Sequence, residues 1–130
     1  MPTILDTPSL IDAHGAPPKQ IAEHVGRVAT GDTRVSIAVM RSPRGWSKPS
    51  QRAQFDEWTV VVTGDLHVES ATGVDVIRAG QAVHVAPGET VRYSTPDTDA
   101  VYVAVCMPAF SPSSLTRLGP DHPRENDQQD

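Results

Sequence analysis

One cysteine, six aromatic side chains and no long apolar run set the first limits on this chain of 130 residues. With Cys106 alone, an internal disulfide is excluded, which fits a reducing compartment and an expected cytoplasmic location. No stretch approaches the roughly 20 apolar residues of a membrane helix. The opening M-P-T-I-L-D-T-P has neither a basic nor an apolar leader region, so no membrane partner and no secretory signal are expected. Charge of one sign is scarce too. The net charge is −5, and the final ten residues, D-H-P-R-E-N-D-Q-Q-D, carry much of it. No basic stripe or nucleic-acid motif is present, so no nucleic-acid partner is expected.

What the chain does have is punctuation. Twelve prolines and nine glycines separate short Val-rich runs, which argues for many strands and turns and against helices. Strands are expected at Ile21–Arg27, Arg34–Met40, Leu66–Glu69, Val74–Ile77, Gln81–Val85, Thr90–Ser94 and Tyr102–Met107, with a short one near Ser9–Asp12. In Arg34–Met40, Val35, Ile37 and Val39 share one face. After Pro108-Ala-Phe110, the sequence Ser111-Pro-Ser-Ser places a proline behind a capping serine and predicts one or two helical turns. From about Gly119 the polar composition predicts disorder. The expected organisation is a single domain: an N-terminal arm (1–20), a barrel (21–110), and a short helical turn with an acidic tail (111–130).

The stretch Gly45–Gly64 organises the rest. Trp58-Thr-Val-Val-Val62 reads as a buried strand entering the turn Thr63-Gly-Asp65. Side chains alternate across a strand. Gln51, Ala53, Phe55, Glu57, Thr59 and Val61 therefore share one face, and Asp56 and Trp58 take the other. If the run is buried, Glu57 points inward.

The spacing carries a resemblance. The first motif of the cupin superfamily is a glycine, five residues, His-x-His, three or four residues, a glutamate, six residues and a glycine. Gly45, Gln51, Ala53, Glu57 and Gly64 stand at those positions. The second motif is a glycine, five residues, Pro-x-Gly, two residues and a histidine. Gly80, Ala86-Pro-Gly88 and Val91 stand there. Within the superfamily, F-D-E-W-T-V-V-V-T-G-D-L-H-V and R-A-G-Q-A-V-H-V-A-P-G-E-T-V-R-Y-S-T-P resemble cupins of the ethanolamine-utilisation Q type over about residues 30 to 110. The resemblance implies an all-β cupin double-stranded β-helix, a jelly-roll barrel. It also implies a homodimer, with the first strand as a contact. Of the usual ligands, three histidines and a glutamate, only Glu57 is kept; no metal and no cofactor are expected.

The candidate site follows from these positions. A carboxylate inside a small apolar barrel loses hydration, the setting in which a general acid or base is tuned. Glu57 is accordingly the first catalytic candidate, against a structural reading in which it pairs with Arg44 or Arg92. His84 is either a second proton carrier or a structural strand histidine. Gln51 either orients a substrate oxygen or is satisfied by backbone. Phe55 shares the face of Glu57 and lines the pocket. Arg92 and Tyr93 are both candidates to hold a substrate oxygen, and parity with Val91 selects Tyr93. Cys106 reads as a small buried hydrophobe without a base partner.

The expected function is a small cupin enzyme performing metal-independent acid–base chemistry on a small carbonyl or polyketide-like metabolite, as an isomerase, cyclase, dehydratase or lyase. Two alternatives stand beside it: a non-catalytic module that binds a small molecule, and an accessory cupin of the ethanolamine-utilisation type. The last role has been linked to phosphoryl chemistry, and no phosphate-cradling Gly-rich loop is present.

Overall fold

The computed structural model describes residues 1–13 and 15–118. The expected disordered tail from Gly119 lies outside them. Twelve strands and one short 3₁₀ turn make up the regular structure, and no α-helix occurs among the described residues. The first sheet holds, in spatial order, Ser9–Ile11 (β1), Gln20–Val25 (β2), Ser36–Ser42 (β3), Ala100–Met107 (β11), Asp56–Thr63 (β6) and Ala82–Val85 (β9). The second holds Leu115–Leu118 (β12), Ser50–Ala53 (β5), Thr90–Thr95 (β10), Asp65–Ser70 (β7) and Gly73–Arg78 (β8), with Trp46–Ser47 (β4) paired to β10. Every named pairing is antiparallel.

Alternation decides what each sheet turns inward. In β6, Thr59 and Val61 are buried while Trp58, Val60 and Val62 are exposed. The Trp58–Val62 run therefore buries only one of its faces, a correction to its reading as a buried strand. Its β-branched residues suit a pleated surface on either side. In β3 the inward face carries Ser36, Ala38, Met40 and Ser42, and the more apolar Ile37 and Val39 face outward, half-buried. Small residues on the inner face leave room for a cavity. The packed core lies towards the other end of the sandwich, where Trp46, Val61, Leu66, Val68, Val91, Tyr93 and Tyr102 close together.

Three strands were not legible in the sequence: β4, β5 and β12. The last extends the barrel beyond the boundary drawn at residue 110, because Leu115–Leu118 pairs along Ser50–Ala53. The helical turn expected after Ser111 is the 3₁₀ turn Pro112–Ser114, capped by Ser111. In the arm, β1 pairs with β2 of the same chain.

Gly64, at the β6–β7 turn, has φ +76°, and a Cβ there would run into the backbone oxygen of Asp99. Gly64→Ala is expected to cost more than about 1–2 kcal/mol, since left-handed backbone strain and the clash add. Urea unfolding checks this, and an unchanged midpoint would contradict it.

Candidate functional site

The cavity lies between the inner faces of the two sheets at the end away from the packed core. Its volume is about 370 Å³, at the small end of ordinary ligand pockets. The first sheet contributes Glu57 and Cys106, and the second contributes Gln51 and Arg117. Phe55 and Phe110 close one wall, ring centroids 6.1 Å apart and edge to face. The segments before β2 and after β4 add Lys19 and Lys48.

Glu57 faces inward as alternation requires. Its Oε1 accepts a hydrogen bond of 2.8 Å from the Tyr93 hydroxyl, and its Oε2 accepts a longer one, 3.8 Å, from the Cys106 thiol. Burial, then the neighbouring Glu57 carboxylate, holds the Tyr93 hydroxyl well above the usual phenol range. Burial pushes the Cys106 thiol up as well, with Glu57 adding to it. Both donors thus keep their protons, and Glu57 is arranged as the acceptor of the group. Neither Arg44 nor Arg92 pairs with it: Arg92 bonds Glu69 at 3.0 Å, and the Arg44 amide bonds Asp99.

Gln51 is buried on the cavity wall, and its Oε1 has no hydrogen-bond partner among the described residues. An unpaired buried carbonyl costs about 1–3 kcal/mol. A donor on a bound molecule would satisfy it. Glu23 also lines the cavity, but its Oε1 is occupied by the amides of Val28 and Ala29, at 3.1 and 2.9 Å.

Two expected site residues lie elsewhere. His84 is on the outer face of the first sheet, stacked on Trp58 at 4.9 Å and bonded to Asp56 at 2.8 Å. Its neighbours Val83 and Val85 turn inward instead, so alternation removes His84 from the cavity and from the catalytic set. Arg92 likewise points outward, towards Glu69, and does not line the cavity that holds Glu57. Tyr93 is inward as parity with Val91 gave, yet it reaches the site only through Glu57, so it positions that carboxylate and does not line the cavity. Cys106 has the partner that the sequence did not reveal.

Sequence reasoning missed Lys19, Lys48 and Arg117. One signal was available. Lys19 and Lys48 are the only lysines among eleven basic residues, and both line the cavity. Lys19 Nζ lies 3.3 Å from Met40 Sδ and 3.3 Å from the Tyr102 hydroxyl, and 4.3 Å from the centre of the Trp46 ring. Lys48 Nζ stands 5.7 Å from the Tyr93 ring centre.

In cupins these motif positions hold a metal ion. Here the frame survives in register, with Val91 opposite Gln51 on neighbouring strands. The donors do not: Ala53 and Val91 carry no donor atom. No cluster of three or more His, Cys, Asp or Glu suited to a metal occurs among the described residues. The residues present do not fit the metal. No described helix is long and apolar enough to cross a membrane.

No protein-family model matches the sequence. The chain is 38% identical over 107 residues to a Myxococcus xanthus (strain DK1622) protein named Endoribonuclease YbeY. That match covers 82% of this chain and 36% of that protein, so the chain spans about a third of the relative's length. Among solved structures, a cupin-like protein of Thermotoga maritima superposes with a TM-score of 0.72 at 12% identity, covering 91% of this chain and 90% of that one. The ethanolamine utilization protein Q (EutQ) of Salmonella typhimurium LT2 gives 0.63 at 18% identity, covering 79% and 97%. The polyketide cyclase RemF of Streptomyces resistomycificus gives 0.68 at 13%, covering 82% and 80%. The shared architecture makes the chain a cupin by fold, one that resembles the ethanolamine-utilisation Q proteins while lacking the histidines of the superfamily's metal site.

Proposed function

We propose that the chain is a small-molecule cupin enzyme in which Glu57 moves a proton on a carbonyl-containing metabolite without a metal ion. One observation carries this reading: Glu57 lines a cavity of about 370 Å³ with both its oxygens accepting hydrogen bonds from buried protonated groups. A carboxylate held that way is oriented to take a proton from a carbon beside a carbonyl. The charge that develops on the carbonyl oxygen then faces the cationic side of the cavity, Lys48 and Arg117. Gln51 accepts from a ligand hydroxyl or amide, and the Phe55–Phe110 wall keeps water from the reacting carbon. The cyclase RemF, a polyketide enzyme on the same fold, supports the substrate class. The endoribonuclease name is not carried over, since a cavity of this size admits a metabolite and not an RNA strand.

The expected result is turnover of a small ketone or 1,3-dicarbonyl that survives chelators. Turnover that is lost on chelation and returns with an added metal would contradict the proposal.

Assembly as a homodimer belongs to the same proposal. The outer face of the first sheet exposes Trp58, Val60 and Val62, at 38%, 43% and 52%, beside half-buried Ile37, Val39, Val103 and Val105. Six strands spaced about 4.8 Å apart make a flat apolar face about 25 Å wide, and two such faces pack sheet on sheet about a twofold axis. Light scattering is expected to give a dimer, converted to monomer by Val60→Lys. A wild-type species of 14.0 kDa at micromolar concentration and above would contradict it.

A further inference from the structure

Lys19 is placed unlike an ordinary structural lysine. Its amine lies inside the barrel end, against a thioether, a phenol hydroxyl and the Trp46 ring, on the cavity wall. Among the described residues no carboxylate comes within ion-pair distance of it. Its surroundings are rigid: Trp46 is fully buried, and Tyr102 is fixed by a 2.8 Å bond to Ser42. Burial is the largest influence on the ammonium and drives its pKa well below the lysine range; Lys48 and Arg117 push the same way and Glu57 opposes them. An arginine at this place would stay charged, whereas a lysine in these surroundings holds its proton less tightly, so a larger share of it carries a free electron pair.

We propose that Lys19 is a nucleophile that condenses with an aldehyde or ketone carbonyl of the ligand held in this cavity, forming an imine. The Nζ electron pair adds to the carbonyl carbon, forming the C–N bond as the carbonyl oxygen takes up a proton. The carbinolamine then breaks its C–O bond, the oxygen leaves as water after a second proton, and the nitrogen gives up its two. No oxidant or reductant is consumed, and the net products are the imine and one water. Protonated at nitrogen, the imine draws electrons from the adjacent carbon more strongly than the carbonyl does, so the proton that Glu57 removes becomes more acidic. The step shares the carbonyl-ligand reading given above but does not depend on Glu57 being the base.

The chain has two side-chain amines, Lys19 and Lys48, besides its N-terminus, which makes the test clean. The full-length protein is incubated at pH 7 with glyoxylate, a small aldehyde that also carries a carboxylate, and cyanoborohydride traps the imine as a stable secondary amine. Peptide mass mapping then gives the rate at each amine. Burial alone would slow labelling, so faster labelling in the folded state is diagnostic. Lys19 is expected to label at least about ten-fold faster in the folded protein than in the same chain unfolded in urea, following its larger neutral fraction. Lys19→Arg should remain folded, lose that label and lose turnover. Folded-state labelling at Lys19 equal to or slower than in the unfolded chain would overturn the proposal, as would full turnover by a folded Lys19→Arg. The two readings fail separately. Absence of trapping alongside a Glu57-dependent reaction removes only the nucleophile, and trapping that persists in a Glu57→Gln protein of undiminished turnover removes only the base.

Discussion

Glu57→Gln is expected to leave the barrel folded and to lower turnover by roughly two to four orders of magnitude, the scale of losing a general acid or base. The substitution is close to isosteric. The glutamine carbonyl still accepts from the Tyr93 hydroxyl, which lies 2.8 Å from Oε1 in the native protein. What disappears is the group that exchanges a proton. Ligand affinity should therefore change much less than turnover, because Gln51, Lys48, Arg117 and the phenylalanine wall are untouched. A pure binding module has no turnover to lose, and in that case affinity alone would shift. A structural Glu57 would show itself as lost stability with its other properties intact. Tm, ligand affinity and product formation on one variant separate these outcomes, and a folded variant with undiminished turnover would contradict the proposed role.

Lys19→Met is expected to stabilise the protein at neutral pH, since folding must either bury the ammonium or strip its proton, and methionine requires neither. Methionine follows the same path past Met40 and Trp46, and Tyr102 keeps its bond to Ser42. The pH dependence gives the claim its sign. The folded-state pKa of Lys19 lies well below the ordinary lysine value of 10.5, so between the two the unfolded chain binds more protons. Stability of the native protein then rises with pH through that window, and the burial penalty is full below the folded pKa. In the variant this rise is absent. Its advantage over the native protein should therefore shrink as pH rises through that window. Towards the upper end of it, Cys106 and the two buried tyrosines act the other way in both proteins, since the unfolded chain loses those protons first. Thermal melts of the two proteins across this range check the prediction, and a constant difference would contradict it. Stability is gained here at the expense of the reaction, as expected of a strained functional group.

The frame of this molecule was legible because it is local. Glycines at fixed intervals and short alternating runs give turns and strands. Alternation turned Tyr93 inward against Arg92 outward, as the structure has them, but it put Gln51, Phe55, Glu57, Thr59 and Val61 on one face of one strand; the chain bends at Gln54–Phe55, so Gln51 faces inward from β5 of the second sheet and Glu57, Thr59 and Val61 from β6 of the first. Alternation cannot say which face meets a cavity. The sequence leaves His84 open for that reason, and the structure puts it on the outer face of its sheet beside Trp58 and Asp56. The cations were missed because they come from far apart in the chain. Lys19 enters from the arm and Arg117 from a strand that exists only through pairing with β5. Neither Leu115–Leu118 nor Ser50–Ala53 has the length or β-branched content to be read as a strand alone. Where the superfamily places a metal, this chain places a carboxylate among ammonium and guanidinium groups, and only the folded structure brings them together.

Proton abstraction by Glu57 can be read without knowing the natural substrate. The protein is mixed in D₂O with small ketones, 1,3-dicarbonyls and α-oxo acids, and loss of the hydrogens beside each carbonyl is followed by proton NMR, with chelator present. Wild-type protein should accelerate exchange for at least one compound that also raises its Tm, and Glu57→Gln should reduce that exchange by about a hundred-fold or more while still binding the compound. Equal exchange by the two proteins, or no exchange of a compound shown to bind in the cavity, would contradict the central claim that Glu57 is the proton carrier of this site.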